Sequence, residues 1–280
     1  NNVLDDVNVN GTFINDRSIA PVLGFNRSVL LRDRAIRRKY HLPAELRMPR
    51  LEDDSARRFN YLRHDSDWVN ADITVSTDSG QTPIAPGYLV SDQTANGRRT
   101  AHFRTDAPIM NFFSIQSANY QVRRGRWNNV DLAVYYDPRH AYNVDRMIRA
   151  MQASFDVYTR EFAPFQFRQM RVLEFPAYAT FAQSFANTVP YSEGIGFITR
   201  YDAQTAQGDG DRIDFVTYVT AHEVAHQWWA HQIIGADMQG STMLSETFAQ
   251  YSALLVMERL YGPDQVRRWL HYELDNYLRS

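Results

Sequence analysis

The sequence has no cysteine, almost no lysine and no long apolar run, and each absence excludes something. Without cysteine, the 280-residue chain forms no disulfides and uses no thiolate chemistry. No stretch approaches the roughly 18 uninterrupted apolar residues that a membrane-spanning helix needs. Lys39 is the only lysine among 30 basic residues, and the net charge of −2 predicts no general affinity for nucleic acid or anionic lipid.

What is present is typical of a folded protein, with 44% hydrophobic, 13% aromatic and 22% charged residues. The length allows one large domain or two ordinary ones. The chain opens at Asn1 without an initiator methionine, and it closes at Ser280 within or just after a helical pattern. We therefore expect the sequence to be a piece of a longer protein, truncated at its C-terminus.

The first half of the chain predicts a β-rich, sandwich-like domain over residues 1–137 with a short helical insertion. Short apolar segments separated by polar turns are typical of antiparallel strands. The predicted strands are Trp68–Val75, Gly87–Val90, Thr100–Arg104, Asn111–Ile115, Tyr120–Val122 and Val130–Tyr136. The insertion is predicted as two charged helical stretches, Leu31–Tyr40 and Asp53–Arg63.

Residues 138–280 change to helical spacing with a few short strands, which together with the first half predicts an α+β fold. Apolar residues recur at helical intervals between Val144 and Phe162. Aspartates near residues 211–214 predict the start of a further helix, and Gly262-Pro263 predicts the end of another. The remaining predicted elements are strands at Met170–Phe175 and Gly194–Ile198 and a last helix from Asp264.

An H-E-x-x-H motif at residues 222–226 carries the chemistry of this second half. Side chains four residues apart lie on the same face of a helix, so His222 and His226 are able to present nitrogens to one ion. Glu246 follows twenty positions after His226 and supplies a carboxylate. Two imidazoles and one carboxylate form the protein ligand set of a catalytic zinc site, which leaves the fourth position to water. The motif therefore predicts a Zn²⁺ cofactor.

Glu223 is predicted to be the catalytic residue of this site. It is rotated by about 100° from His222, so it reaches a bound water without ligating the metal. A carboxylate there takes a proton from the water as it attacks a carbonyl. The alternative is a chance motif whose histidines are structural. The apolar flanks of residues 215–229 argue against it, because two histidines and a glutamate in a buried helix need polar partners.

The run from Val219 to Tyr251 resembles the M1 family of zinc metallopeptidases, the gluzincin aminopeptidases. It has H-E-V-A-H-Q-W-W followed by S-E-T-F-A-Q-Y, where that family shows H-E-x-x-H-Q-W-F/W and then E-x-F-A. The resemblance implies a β-rich domain followed by a thermolysin-like zinc-peptidase domain that hydrolyses peptide substrates. The spacing departs slightly, because nineteen residues separate His226 from Glu246 here and the family usually has eighteen.

A second departure concerns substrate binding. M1 aminopeptidases carry a G-x-M-E-N segment before the zinc helix, and its glutamate grips the free amino group of the substrate. We place the corresponding segment at Gly194, Ile195, Gly196 and Phe197, as an edge strand that pairs with an extended peptide. Phe197 then occupies the position of the acidic anchor, and the adjacent Glu193 is its candidate substitute. Strict N-terminal specificity is not expected. The family's oxyanion-stabilising tyrosine is expected beyond residue 280.

Within the family, the chain most resembles bacterial M1-like domains fused behind ABC-type permease segments. The segments 233–237 and 240–246 carry that likeness. It implies a membrane-embedded parent protein and an extracytoplasmic, periplasmic location for this domain. Two alternatives stay open. One is a non-hydrolytic binding or assembly module of a transport system that keeps the peptidase fold. The other is an endopeptidase or carboxypeptidase with the same zinc chemistry.

Three weaker signals are interpreted as structural. The Asp-rich stretch at residues 208–211 is a turn before a helix rather than a calcium loop, since it lacks the later ligands of an EF-hand. Arg32–Lys39 forms a solvated basic helix face, interrupted by Asp33. His231 lies on the opposite side of the motif helix from His222, so it is not counted as a ligand.

Overall fold

A computed structural model describes residues 7–8, 11–19, 30–44, 48–62, 66–199 and 213–279. The turn predicted at residues 208–211 lies outside these ranges. The strands are β1 (Val7–Asn8), β2 (Gly11–Asn15), β3 (Trp68–Val69), β4 (Asp72–Asp78), β5 (Thr82–Ile84), β6 (Tyr88–Ala95), β7 (Arg98–Arg104), β8 (Ile109–Met110), β9 (Ser114–Ala118), β10 (Gln121–Trp127), β11 (Val130–Tyr136), β12 (Gln169–Phe175) and β13 (Thr188–Ser192). The helices are α1 (Asp16–Ile19), α2 (Arg34–Lys39), α3 (Val144–Glu161), α4 (Phe215–Ala225), α5 (Phe248–Tyr261) and α6 (Pro263–Arg279).

The first half is β-rich and, among the described strands β1 to β9, every pairing is antiparallel. Its sheets have the strand orders β1-β2-β9-β5, β4-β7-β6 and β3-β8. The helix predicted around residues 31–40 is present as α2. The helix predicted for Asp53–Arg63 is wrong, because the described residues there contain only a short 3₁₀ turn, Ala56–Arg58.

One sheet, of order β10-β11-β12-β13, supports the second half. Strands β10 and β11 are antiparallel, whereas β12 and β13 run parallel to β11. The sheet therefore crosses the domain boundary predicted at residue 137, which itself stays a prediction. Phe13 of β2 stacks on Phe175 of β12 with ring centroids 5.0 Å apart, so the β-rich region packs against the end of this sheet.

The helices α3, α4 and α5 form the main hydrophobic core together with this sheet. Gly125 of β10 lets α3 approach closely, since a Cβ there would lie 2.7 Å from a methyl group of Ile148. Helix α4 is buried on most sides, as its apolar flanks predicted. Helix α5 ends before Gly262, which has φ +84°, so the predicted stop is confirmed. No helix in the described part of the chain has the length and apolarity needed to cross a membrane.

Candidate metal centre

The metal-binding motif lies on α4, whose first turn is fixed by a buried carboxylate. Asp214 caps the helix by accepting hydrogen bonds from the backbone N–H of Thr217 at 3.0 Å and from its hydroxyl at 2.7 Å. The same carboxylate accepts from Arg146 of α3 at 2.5 Å and from the hydroxyl of Tyr261, at the end of α5, at 2.6 Å. The three helices around the centre thus meet at one capping residue.

The three predicted ligands converge. The Nε2 atoms of His222 and His226 lie 3.1 Å apart, and Oε2 of Glu246 lies 3.4 Å from the first and 3.6 Å from the second. A tetrahedral zinc with bonds of 2.0–2.1 Å requires its ligand atoms to be about 3.3 Å apart. The described side chains therefore place three donor atoms close to three corners of one coordination tetrahedron, and the donor set fits a zinc ion.

The local backbone orients the ligand side chains toward one point. Nδ1 of His226 lies 3.2 Å from the carbonyl oxygen of Trp229, so it carries the proton and leaves Nε2 free to ligate. Helix α4 ends at Ala225, and His226 follows with a backbone that is still helical. The two histidines therefore share one face, as predicted, although the regular helix ends between them. Glu246 sits in a π-helical turn, Met243–Thr247, directly before α5; such turns are frequent at functional sites.

The pKa values of the two carboxyl groups at the centre, Glu246 and Glu223, are shifted in opposite directions. Hydrogen bonds from His222 and His226 hold the pKa of Glu246 far below its usual range. Burial raises the pKa of Glu223, whose side-chain Oε2 is buried and has no hydrogen-bond partner among the described residues. Glu223 lies outside the group of converging ligand atoms. A buried carboxylate with a free oxygen beside a metal site is arranged to exchange a proton.

The segment at residues 181–188 is hydrogen-bonded to the C-terminal end of the motif helix and to the residues that follow it. The hydroxyl of Ser184 donates to the carbonyl oxygen of Glu223 at 2.8 Å, and the amide of Gln227 donates to Ser184 and to Phe185. His231 donates through Nε2 to the carbonyl oxygen of Ser184 at 3.1 Å, and burial lowers its pKa to about 4. His231 is therefore a neutral residue outside the converging ligand group, and it lies beyond the end of α4 rather than on the motif helix where the sequence analysis placed it.

We expect Gln227→Ala to destabilise the protein by about 2–4 kcal/mol, because it removes three buried hydrogen bonds and leaves their partners unsatisfied. The third of these bonds is accepted from the backbone N–H of Asn187 at 2.8 Å. Urea unfolding of the zinc-free protein measures the change. Gln232→Ala is the control, since that partly exposed side chain makes one hydrogen bond among the described residues, to the carbonyl oxygen of Pro164 at 3.0 Å, and its loss is expected to cost below about 1 kcal/mol. If the two variants lost the same free energy of unfolding, the hydrogen bonds of Gln227 would not be important for stability.

The predicted edge strand at Gly194–Ile198 is wrong. Residues Glu193–Phe197 form a π-helical turn after β13, and Phe197 is fully buried. The outer edge of β13 is instead covered by residues 181–185, which run antiparallel to it through the bridges Ala182–Tyr191 and Phe185–Thr188. The available signal was Asn187, whose φ of +50° makes the tight reversal, because asparagine tolerates left-handed turns.

The structure also brings together His140, Glu174 and Glu193. Of these three, the sequence indicates a functional role only for Glu193. Their ligand atoms all lie within 4.8 Å of one another, apart from the first centre. Burial raises the pKa of Glu174 to about 7. The residues come from a helix start and two strand ends, so no local spacing in the sequence marks them.

Comparisons with known proteins agree with the fold. No protein-family model matches the chain, and no curated protein matches it. Among solved structures, it is similar to an M1 zinc metallopeptidase from Deinococcus radiodurans, with a TM-score of 0.56 and 19% sequence identity. The match covers 78% of this chain and 46% of that one, so this chain spans under half the length of its structural neighbour. The β-rich first part and the helical second part thus share the fold of an M1 zinc metallopeptidase.

Proposed function

We propose that this protein is a zinc-dependent peptidase of the M1 type. The observation that carries the proposal is the convergence of His222, His226 and Glu246 within 3.6 Å beside the buried carboxylate of Glu223. The fold shared with an M1 zinc metallopeptidase supports it. The donor set is that of catalytic rather than structural zinc, because three protein ligands leave a coordination position open.

Each residue has a role in this reaction. His222, His226 and Glu246 hold the ion, which when bound supplies a Lewis acid that polarises the scissile carbonyl and lowers the pKa of water to about 7. Glu223 accepts the proton of the attacking water and returns it to the leaving amine. Burial raises the pKa of Glu223, and this favours the protonated form that donates to the leaving amine after the carboxylate has acted as base.

We propose that the peptide substrate pairs with the outer edge of residues 181–185. The backbone groups of alternate residues, Phe181, Gln183 and Phe185, bond inward to β13. The N–H groups of Ala182 and Ser184 therefore point to the other side, and neither has a backbone partner among the described residues. An extended peptide adds to such an edge through main-chain hydrogen bonds. The substrate-binding role first assigned to residues 193–197 stays a prediction.

We expect rates on free and N-blocked peptides to agree within about tenfold in kcat/KM. Residues 181–187 carry no acidic side chain, so a free amino group gains no ion pair on this edge, and a factor of ten corresponds to about 1.4 kcal/mol. Glu193, the substitute anchor suggested by the sequence, already accepts a hydrogen bond from the backbone N–H of Ala177 at 2.9 Å. A preference for free amines far above tenfold that Glu193→Gln abolishes would show that Glu193 anchors the substrate.

A peptide library incubated with zinc-loaded protein tests the proposed function. The 280-residue chain and any longer natural chain that contains it are compared, with products identified by mass spectrometry. Cleavage that chelation stops and zinc restores supports a peptidase, and the position of the cut bond distinguishes an exopeptidase from an endopeptidase. Zinc binding without cleavage at either length would favour a non-hydrolytic module. The predicted link to a bacterial permease is checked separately, by the sequence that adjoins this domain.

A further inference from the structure

A second group of metal-binding side chains lies at the ends of β12 and β13. Glu174 is near the end of β12, Glu193 follows β13, and His140 precedes the short turn that leads into α3. Nδ1 of His140 bonds to Oε1 of Glu174 and lies 3.7 Å from Oε2 of Glu193. Only 17%, 4% and 16% of the side chains of His140, Glu174 and Glu193 are exposed. This is one imidazole and two carboxylates, the donor types that bind zinc.

The charges of this group are unbalanced. Among the described residues, Glu174 and Glu193 form ion pairs with His140 alone. The guanidinium of Arg139 acts electrostatically on both carboxylates, but it is paired with Asp137 at 2.6 Å. If His140 is neutral, the two adjacent carboxylates have no cation bonded to them among the described residues, and a protonated His140 balances only one of them. Carboxylates withdrawn from water are costly unless a cation compensates them, and a divalent ion balances both.

The surroundings hold the carboxylates in place and leave room for an ion. The remaining oxygen of Glu174 accepts from the backbone N–H of Asp137 at 2.7 Å, and that of Glu193 accepts from Ala177 at 2.9 Å. A small pocket, bordered by Asn119 and Asp137 among others, opens onto Glu174 and Glu193. Backbone bonds therefore fix one oxygen of each carboxylate, and the pocket offers space for water as an additional ligand.

We propose that His140, Glu174 and Glu193 form a second zinc site, separate from the peptidase centre. An ion there takes the place of the proton between His140 and Glu174, and the side chains separate to the roughly 3.3 Å that tetrahedral coordination requires. The site joins the ends of two core strands to the start of α3, the helix that carries Arg146 and so contacts the cap of the motif helix. The second ion ties the sheet to the helices around the first.

Zinc counting tests the second site. The protein is saturated with zinc, dialysed against metal-free buffer and analysed by plasma mass spectrometry. We expect about two zinc ions per chain in the unmodified protein and about one in His140→Gln and in Glu193→Gln. The double variant His226→Ala, Glu246→Ala is also expected to keep one. The control is His102→Gln, because His102 pairs with Asp72 at 2.6 Å but belongs to no group of three possible ligands in the described part of the chain, so the count of this variant should stay at two.

The zinc counts distinguish failure of the second site from failure of the proposed peptidase centre, on which the proposed function depends. A count of one that His140→Gln leaves unchanged overturns the second site. A count of two that neither His140→Gln nor Glu193→Gln lowers also overturns it. A count of one that His140→Gln removes, and that the double variant keeps, would support the second site and contradict the first. Thermal unfolding of each zinc-free variant shows whether it folds, and the partly exposed Glu193→Gln is the substitution least disruptive to packing.

Discussion

Replacing Glu246 with alanine is expected to weaken zinc binding at the peptidase centre by more than about 100-fold. Loss of a group that merely orients a ligand costs 10–100-fold in affinity, and Glu246 supplies a ligand atom itself. Its side chain is 52% exposed, so the fold should survive the substitution. His226→Ala should give the same loss of zinc. Competition against a chelating dye measures the affinity of this centre.

Glu258→Ala is the matched control for Glu246→Ala. Glu258 is an exposed glutamate of α5, the helix that directly follows the turn bearing Glu246. Removing it changes the local charge by the same amount and removes no ligand. Unchanged zinc affinity in Glu246→Ala would mean that the third ligand has been misidentified. Equal weakening by both variants would indicate a general electrostatic effect instead of coordination.

Glu223→Gln is expected to lower kcat by about 10²–10⁴-fold while zinc content and fold are retained, since this is the typical contribution of a general base. Glutamine has nearly the same shape, and the site already disfavours a charge, because burial raises the pKa of Glu223. The substitution therefore removes proton transfer without adding strain. Steady-state kinetics on a peptide that the unmodified protein cleaves, with zinc measured in the same samples, provides the test.

Two results would contradict this role for Glu223. If Glu223→Gln loses zinc together with activity, the glutamate ligates the metal or maintains the centre. If it retains most of its activity with zinc bound, another residue is the base. In either case the partnerless oxygen of Glu223 would need a different explanation, because buried polar atoms without partners are uncommon in folded proteins.

The sequence was sufficient for features set by local spacing. His222 and His226 converge because four residues make about one helical turn, and Asp214 caps the helix as aspartate commonly does. Gly262 ends α5 through its positive φ. Glu246 was predicted as the third ligand because a catalytic zinc site needs a further donor, whereas its convergence on the histidines across an intervening segment depends on the fold.

Features that depend on long-range pairing were missed. Residues 194–198 contain glycine and apolar residues suited to a strand, yet Ser192 accepts from the backbone N–H of Gly194 and starts a π-helical turn. The covering edge at residues 181–185 follows from a reversal at Asn187, and nothing local shows which strand it covers. The pair formed by His140 and Glu174 spans 34 positions, and only the sheet topology brings the two together.

The most direct test of the account is the dependence of peptide cleavage on zinc at His222, His226 and Glu246. Cleavage of a library-selected peptide is measured with the metal present, after chelation and after zinc is restored, in the unmodified protein and in His140→Gln. The account predicts that chelation abolishes cleavage, that zinc restores it, and that His140→Gln follows the same course because its peptidase centre is intact. Cleavage that persists in zinc-free protein, or none in zinc-loaded protein of either length, would contradict it.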